Sequence, residues 1–76
     1  MSFDYTDLST IIAKKFGTQM QFAKAMELSE RSISLKLNNN VSWKNTEIEK
    51  ARQLLGIKEK DVYKYFFKTK VQEVEL

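Results

Sequence analysis

The sequence predicts a compact all-α domain of five helices, followed by a short tail that is extended or strand-like. Apolar residues recur at intervals of three and four along most of the chain, which is the spacing of one helix face. Capping residues precede these stretches, and glycine or asparagine follows several of them. The 76 residues contain no proline, and helices with local contacts suit a chain with so small a core.

Composition and charge narrow the class of protein. The chain is 42% hydrophobic and 30% charged, and it has neither cysteine nor histidine for disulfides or the usual zinc ligands. No apolar run approaches the roughly 20 residues of a membrane span, and no signal-peptide core is present, so we expect a cytoplasmic protein without membrane contact. The net charge is +3, but residues 8–46 alone carry +4, which favours a nucleic-acid partner.

The first helix is predicted to begin after Asp4, an N-cap residue, and to end at Gly17. Lys14 and Lys15 in its last turn suit the helix dipole. Its apolar side chains follow helical spacing and are expected to face the core: Tyr5, Leu8, Ile11, Ile12 and Phe16.

Residues 18–39 are predicted to form two short helices joined by a tight turn. Thr18 followed by Gln21 is a capping box, and Ser29 is a second N-cap. Apolar residues mark the buried face of each helix: Phe22, Ala23 and Met26 on the first, and Ile33 and Leu37 on the second. Leu28 lies in the connection, where it can fill the angle between the two helices.

This arrangement resembles the helix-turn-helix of the phage repressor and Cro family. The residues that carry the resemblance are Gln19, Phe22, Ala23, Ser29, Ile33, Leu37, Asn38, Trp43, Glu47 and Ile48. The resemblance implies a DNA-binding domain over residues 1–67, with residues 68–76 as a tail. At the turn, where the family usually has glycine, this chain has Glu27, and a left-handed backbone there costs about 1 kcal/mol.

The chain after residue 37 is predicted to complete the core. Asn38, Asn39 and Asn40 end the second helix of the pair, because asparagine tolerates a left-handed backbone. Trp43 is expected to cover the core. The next helix is predicted over about 45–55 and is expected to end at Gly56. Its apolar stripe consists of Ile48, Ala51, Leu54 and Leu55.

The last part of the chain is predicted to be a short fifth helix and the tail. The helix lies near residues 59–66 and turns Val62, Tyr65 and Phe66 inward. In the tail, apolar and polar residues alternate with the period of a strand, which needs a partner strand. The tail is either a frayed end or, as the resemblance to Cro-like proteins implies, a segment that contributes to a dimer.

The sequence argues against an enzyme. It lacks the histidine, the cysteine and the Gly-rich phosphate loop on which common catalytic sites depend. Glu47 and Glu49 are two residues apart, so they do not share a helix face, and both are expected on solvated surface. We therefore expect no metal and no cofactor.

The face of the helix over 30–38 that lies opposite its apolar residues suits DNA recognition, because a helix fits the major groove. The candidate base-reading residues are Glu30, Arg31, Ser34, Leu35 and Asn38. Arg31 is able to bind guanine through two hydrogen bonds, and Leu35 suits a thymine methyl group. Glu30 either accepts a hydrogen bond from a cytosine amino group or has a structural role, because phosphates repel a carboxylate. In that structural role it stabilises the turn or pairs with Arg31.

Phosphate contacts are expected on both sides of that helix. The candidates are Gln19, Ser29, Lys36, Asn39, Asn40 and Lys44. Gln19 lies at a helix N-terminus, where free N–H groups favour an anion, and the resemblance assigns the matching glutamine to the DNA backbone. A single surface lysine more often promotes solubility than contacts a phosphate. The prediction therefore depends on the clustering of these residues.

The leading functional hypothesis is a Cro-like phage or prophage repressor that binds a double-stranded DNA operator as a homodimer, with recognition helices about 34 Å apart. The alternative is an antirepressor or modulator that binds another repressor protein through the same fold. Exposed Leu35, the modest net charge and the alternating tail suit that alternative equally well. An RNA-binding adaptor is disfavoured, because the aromatic residues fall on core stripes rather than on an exposed face.

Overall fold

The computed structural model describes residues 2–70, and these residues form the predicted all-α fold. Four α-helices are followed by a 3₁₀ turn and a π-helical turn. In chain order the elements are α1 (Thr6–Phe16), α2 (Gln19–Met26), α3 (Glu30–Leu37), α4 (Asn45–Leu55), the 3₁₀ turn Glu59–Asp61 and the π-helical turn Tyr63–Phe67. No helix within residues 2–70 is both long and apolar enough to cross a membrane.

The start of α1 lies one residue later than the predicted N-cap implies. Asp4 Oδ1 accepts a hydrogen bond from the Thr6 N–H at 2.9 Å, whereas Tyr5 occupies the N-cap position without a side-chain bond. Gly17 ends the helix with φ of +82°, and its N–H donates to the Ala13 carbonyl. Both residues predicted to bound α1 therefore contribute to its ends. Asp4 binds the first N–H of the helix from the position before the N-cap residue Tyr5.

The core is a single cluster of side chains drawn from all four helices and the π-helical turn. The largest fully buried side chains are Leu8, Ile12, Phe22, Ile33, Leu55 and Phe66. The rings of Phe16 and Phe22 meet edge to face with centroids 5.4 Å apart, which fastens α1 to α2. Every inward-facing residue predicted for α1, α2 and α3 lies in this core or packs against it, and burial of such apolar surface is the main force that holds the helices together.

The helix α4 has the predicted bounds of residues 45–55, and Gly56 ends it in a left-handed conformation. The predicted apolar stripe is wrong at Leu54, which remains 37% exposed, whereas the other members are buried. Successive residues of a helix are rotated by about 100°, which turns Leu54 away from the face on which Leu55 lies.

The predicted fifth helix near residues 59–66 is not a regular α-helix. It is split into the 3₁₀ turn and the π-helical turn, with Val62 between them. Phe66 is buried as predicted, and Val62 and Tyr65 pack partly against the core. The Phe66 ring meets the Trp43 ring edge to face at 5.4 Å, so Trp43 covers the core as predicted.

The two ends of the described chain lie side by side. Phe3 and Thr69 form an antiparallel bridge, and backbone hydrogen bonds of 2.6 and 3.1 Å flank this pair. Residues 68–70, the described start of the tail, therefore pair with the N-terminal segment of the same chain through an isolated bridge. The rest of the predicted tail, residues 71–76, lies outside the described residues.

Candidate interface on the α2–α3 unit

The α2–α3 unit, residues 18–38, carries a hydroxyl cap at the start of each helix. Thr18 Oγ1 accepts from the Gln21 N–H at 3.2 Å, and Ser29 Oγ accepts from the Ser32 N–H at 3.0 Å. Each bond satisfies one of the free N–H groups at a helix start. Both predicted N-caps are confirmed, and they set where α2 and α3 begin.

The turn between α2 and α3 holds a non-glycine residue in the left-handed conformation. Glu27 has φ of +61° and ψ of +37°. Its N–H donates to the Lys24 carbonyl at 3.1 Å, and the Leu28 N–H donates to the Ala23 carbonyl at 2.9 Å. These two bonds define a Schellman motif, in which the left-handed residue is usually glycine. The predicted strain at Glu27 is present, while the hydrogen bonding of the turn is regular.

A lysine from α4 braces this turn. Lys50 Nζ lies 2.7 Å from a carboxylate oxygen of Glu27 and 3.4 Å from the Met26 carbonyl oxygen. The hydrogen bond from Lys50, and then its positive charge, lower the pKa of Glu27 below the usual value. Lys50 and Glu27 are 23 positions apart, and no motif in the sequence points to Lys50.

The exposed face of α3, which we name the α3 ridge, holds the five residues predicted to read bases. They are Glu30, Arg31, Ser34, Leu35 and Asn38. Glu30, Arg31 and Asn38 are exposed, whereas Ser34 and Leu35 are half-buried. Ile33 on the other face is fully buried, so α3 has the predicted orientation.

The Asn38 side chain is partly engaged in closing α3. Its Nδ2 donates to the Ser34 carbonyl at 2.8 Å and to Ser34 Oγ at 3.3 Å. Reading adenine through two hydrogen bonds requires a free amide donor as well as an acceptor. In this conformation Asn38 offers a partner its carbonyl oxygen only.

Lys36, predicted to contact a phosphate, is instead buried, with 4% of its surface exposed. Its Nζ lies 2.9 Å from a Glu47 carboxylate oxygen and donates to the Ser42 carbonyl at 3.1 Å. A buried ammonium requires such partners, because an unpaired buried charge is strongly unfavourable. The prediction for Lys36 is wrong because α3 turns this position toward α4, where the ion pair joins the two helices.

Glu47, expected on solvated surface, is the half-buried partner of that pair. Its carboxylate also accepts from the Lys44 N–H at 2.8 Å, at the start of α4. Burial raises the pKa of Glu47, but the hydrogen bonds from the Lys44 N–H and the Lys36 ammonium outweigh it and hold the pKa below the usual value. The carboxylate is therefore charged at neutral pH, and the expectation of a solvated Glu47 is wrong.

Asn39, another predicted phosphate contact, binds the N-terminal segment of the chain. Its Nδ2 donates to the Phe3 carbonyl at 2.9 Å, and its Oδ1 accepts from the Phe3 N–H at 2.8 Å. Both polar ends of the amide are engaged within the chain, which disfavours Asn39 as a phosphate contact. With φ of +64°, Asn39 is nevertheless the left-handed asparagine that the sequence predicts.

Four of the six predicted phosphate contacts remain exposed: Gln19, Ser29, Asn40 and Lys44. Gln19 is the first residue of α2, beside the helix N-terminus as predicted. The α3 ridge combines a carboxylate, a guanidinium and the apolar Leu35. Such a mixture can complement a charged protein surface as well as the edges of bases. Among residues 2–70 there is no group of His, Cys, Asp or Glu side chains able to hold a metal ion.

Comparison with known proteins identifies the class of this protein. The chain belongs to the family described as "Protein of unknown function (DUF739)", whose model matches residues 1–69. A comparison with curated proteins found no match.

A solved structure is similar to nearly the whole chain. It is the solution structure of the modulator of repression (MOR) of the temperate bacteriophage TP901-1 from Lactococcus lactis. The identity is 53%, the TM-score is 0.78, and the match covers 95% of this chain and 97% of that chain. The resemblance to phage regulators is supported at this level, whereas the family is DUF739 rather than the Cro-like family that the sequence suggests.

Proposed function

We propose that this protein is a phage or prophage modulator of repression, which acts in the bacterial cytoplasm by binding a repressor protein. The observation that carries the proposal is the similarity to the TP901-1 modulator of repression over nearly the full length of both chains. At 53% identity, the likeness extends beyond the fold to the side chains, on which function depends.

The chemistry of the α3 ridge supports a protein partner. Arg31 is exposed, and arginine is enriched among the residues that dominate protein interfaces. Glu30 is repelled by the phosphates of DNA, but it can pair with a cation on the basic DNA-binding face of a repressor. Lys36 and Asn39 are engaged within the chain, which disfavours them as phosphate contacts and so weakens the case for direct DNA binding.

The test is a calorimetric titration of the purified protein with the repressor encoded in the same genome. We expect Arg31→Ala to weaken binding at least tenfold, which equals about 1.4 kcal/mol. Lys60→Ala is the matched control, since Lys60 is an exposed cation in the 3₁₀ turn, and it is expected to bind like the wild type. If the wild-type protein does not bind the repressor, the proposed function is wrong.

Direct operator binding as a homodimer is a second candidate function. It is favoured by the exposure of Arg31 and by the position of Gln19 at the start of α2. Gel shifts on the DNA beside its own gene separate the two candidates. Salt-sensitive, sequence-specific binding that Arg31→Ala abolishes supports an operator-binding protein. Weak binding that is equal for the wild type and Arg31→Ala supports the modulator.

A further inference from the structure

The ion pair between α3 and α4 lies behind the α3 ridge. Lys36 is 4% exposed, and its Nζ lies 2.9 Å from a carboxylate oxygen of the half-buried Glu47. Because successive residues of a helix are rotated by about 100°, Lys36 points nearly opposite to its ridge neighbours Ser34 and Asn38. The side chain that joins α3 to α4 and the side chains that face a partner therefore belong to the same turns of one helix.

The Lys36 ammonium is held by several groups at once. Besides binding Glu47, it donates to the Ser42 carbonyl at 3.1 Å and lies 5.8 Å from the centroid of the Trp43 ring, within the range of a cation–π contact. The Glu47 carboxylate is itself fixed, because it accepts from the Lys44 N–H at 2.8 Å. Charge-assisted hydrogen bonds are short and strong, so they define the position of this part of α3 against α4.

Apolar packing alone does not define that position. The buried residues of α3 are Ile33 and Lys36, and α3 packs mainly against α2. The hydrophobic effect that buries Ile33 is non-directional, so it allows α3 to slide or rotate slightly. Buried ionic groups confer conformational specificity in some proteins even where they add little stability. Lys36 is thus the directional contact on the buried face of α3.

We propose that the Lys36–Glu47 ion pair positions the α3 ridge for the repressor. Both are positioning residues, which act through the ridge side chains and do not themselves contact the partner. The inference rests on the proposed function, because the ridge is the surface assigned there to repressor binding. The pair fixes the second half of α3, where Leu35 and Asn38 lie. A ridge that is already ordered loses less conformational entropy on binding than a mobile one, so loss of the pair lowers affinity more than stability.

The experiment compares repressor affinity with the free energy of unfolding in the double variant Lys36→Met/Glu47→Gln. Methionine fills the space of the lysine stem, and glutamine still accepts from the Lys44 N–H, as in other capping boxes. Replacing a buried ion pair by uncharged side chains of similar volume is often neutral for stability. We therefore expect unfolding in urea to match the wild type, whereas affinity for the repressor encoded in the same genome falls about fivefold.

The matched control removes the other ion pair of α4. Glu49 and Arg52 pair within that helix and do not involve α3, so Glu49→Gln/Arg52→Met is expected to bind the repressor like the wild type. Leu35→Ala, made in the wild type and in the Lys36→Met/Glu47→Gln background, gives a readout that a purely structural pair does not change. Its effect on affinity is expected to be smaller in the second background, because coupled substitutions are not additive.

Wild-type affinity in a folded Lys36→Met/Glu47→Gln variant overturns the positioning role and leaves the proposed function intact. An equal effect of Leu35→Ala in both backgrounds also overturns it. If the double variant does not fold, Glu47→Asp decides, because it keeps both charges and withdraws the carboxylate by one methylene. Weaker repressor binding by folded Glu47→Asp supports the role, and unchanged binding overturns it. If the wild type does not bind the repressor, the proposed function itself fails, and the positioning role fails with it.

Discussion

Three helices of this protein end in the same backbone motif, but only one of the three uses glycine there. Glu27, Asn39 and Gly56 have positive φ, and each donates its N–H three residues back to close a Schellman motif. The asparagine tolerates this conformation because its side chain is short and polar. Glutamate has no such advantage, so the α2–α3 turn holds strain that the two hydrogen bonds and the Lys50 contact offset.

Replacing Glu27 tests this strain. Glu27→Gly removes a backbone penalty of about 1–2 kcal/mol and loses an exposed ion pair, which stabilises a fold only weakly because solvent screens it. We therefore expect the free energy of unfolding to rise by about 0.5–1 kcal/mol, measured by urea denaturation. Lys24→Gly, in the regular part of α2, is the control and is expected to lower it by about 1 kcal/mol. A loss of stability with Glu27→Gly contradicts the strain.

At the scale of elements, α4 is the support of the α2–α3 unit. Its Lys50 contacts Glu27 in the turn after α2, and its Glu47 pairs with the buried Lys36 ammonium of α3. Within α4 there is a third ion pair, in which Arg52 Nη2 lies 2.6 Å from a Glu49 carboxylate oxygen. Arg52 also donates to the Ile57 carbonyl at 3.2 Å. Charged side chains of one helix therefore hold both the ridge and the chain that follows α4.

The ion pair within α4 makes stability depend on pH. Hydrogen bonds from Arg52 and then Gln53 lower the pKa of Glu49 from 4.5 to about 2. A carboxyl whose pKa is lower in the folded than in the unfolded protein stabilises the fold above its unfolded pKa. That contribution is lost as the pH falls from 4.5 to about 2. We expect Glu49→Gln to reduce the acid loss of stability in this window, as measured by urea denaturation at a series of pH values.

The partner of Glu49 provides the matched control. Arg52→Gln removes the main donor that lowers the pKa, so it is expected to reduce the same acid loss while keeping the carboxylate. In the double variant the two effects are expected not to add, because both substitutions remove one interaction. If stability between pH 4.5 and 2 falls equally in the wild type and in all variants, the ion pair does not contribute.

At the scale of the whole molecule, one asparagine joins the chain ends to the region beside the α3 ridge. Asn39 binds Phe3, and Phe3 pairs with Thr69; we name these three residues the terminal clasp. The clasp therefore holds both ends of the described chain next to the end of α3.

Loosening the clasp is expected to open the chain ends without unfolding the helices. Asn39→Gly preserves the left-handed backbone but removes both side-chain hydrogen bonds to Phe3. We expect amide hydrogen exchange to accelerate at Asp4 and Lys70, whose N–H groups flank the bridge, and not in the buried part of α1. Asn40→Gly, at the exposed neighbouring position, is the control. Unchanged exchange at Asp4 and Lys70 in Asn39→Gly contradicts the role of the clasp.

Most of the helical framework could be predicted, because the signals for it are local. Thr18 and Ser29 cap the helices that follow them, and Ile33 recurs on the apolar face of α3. These signals depend on neighbours within one or two turns, so a single sequence contains them. The composition of the α3 ridge follows from the same periodicity, since the residues opposite a buried face must point outward.

The partners of individual side chains were decided only by tertiary structure. Lys36 and Asn39 are residue types that often bind phosphate. In the structure, however, Lys36 is buried against Glu47 and Asn39 binds Phe3. The contact of Lys50 with Glu27 likewise joins parts of the chain that are distant in sequence. The period of a helix determines which residues share a face, but it contains no information about which distant segment packs against that face.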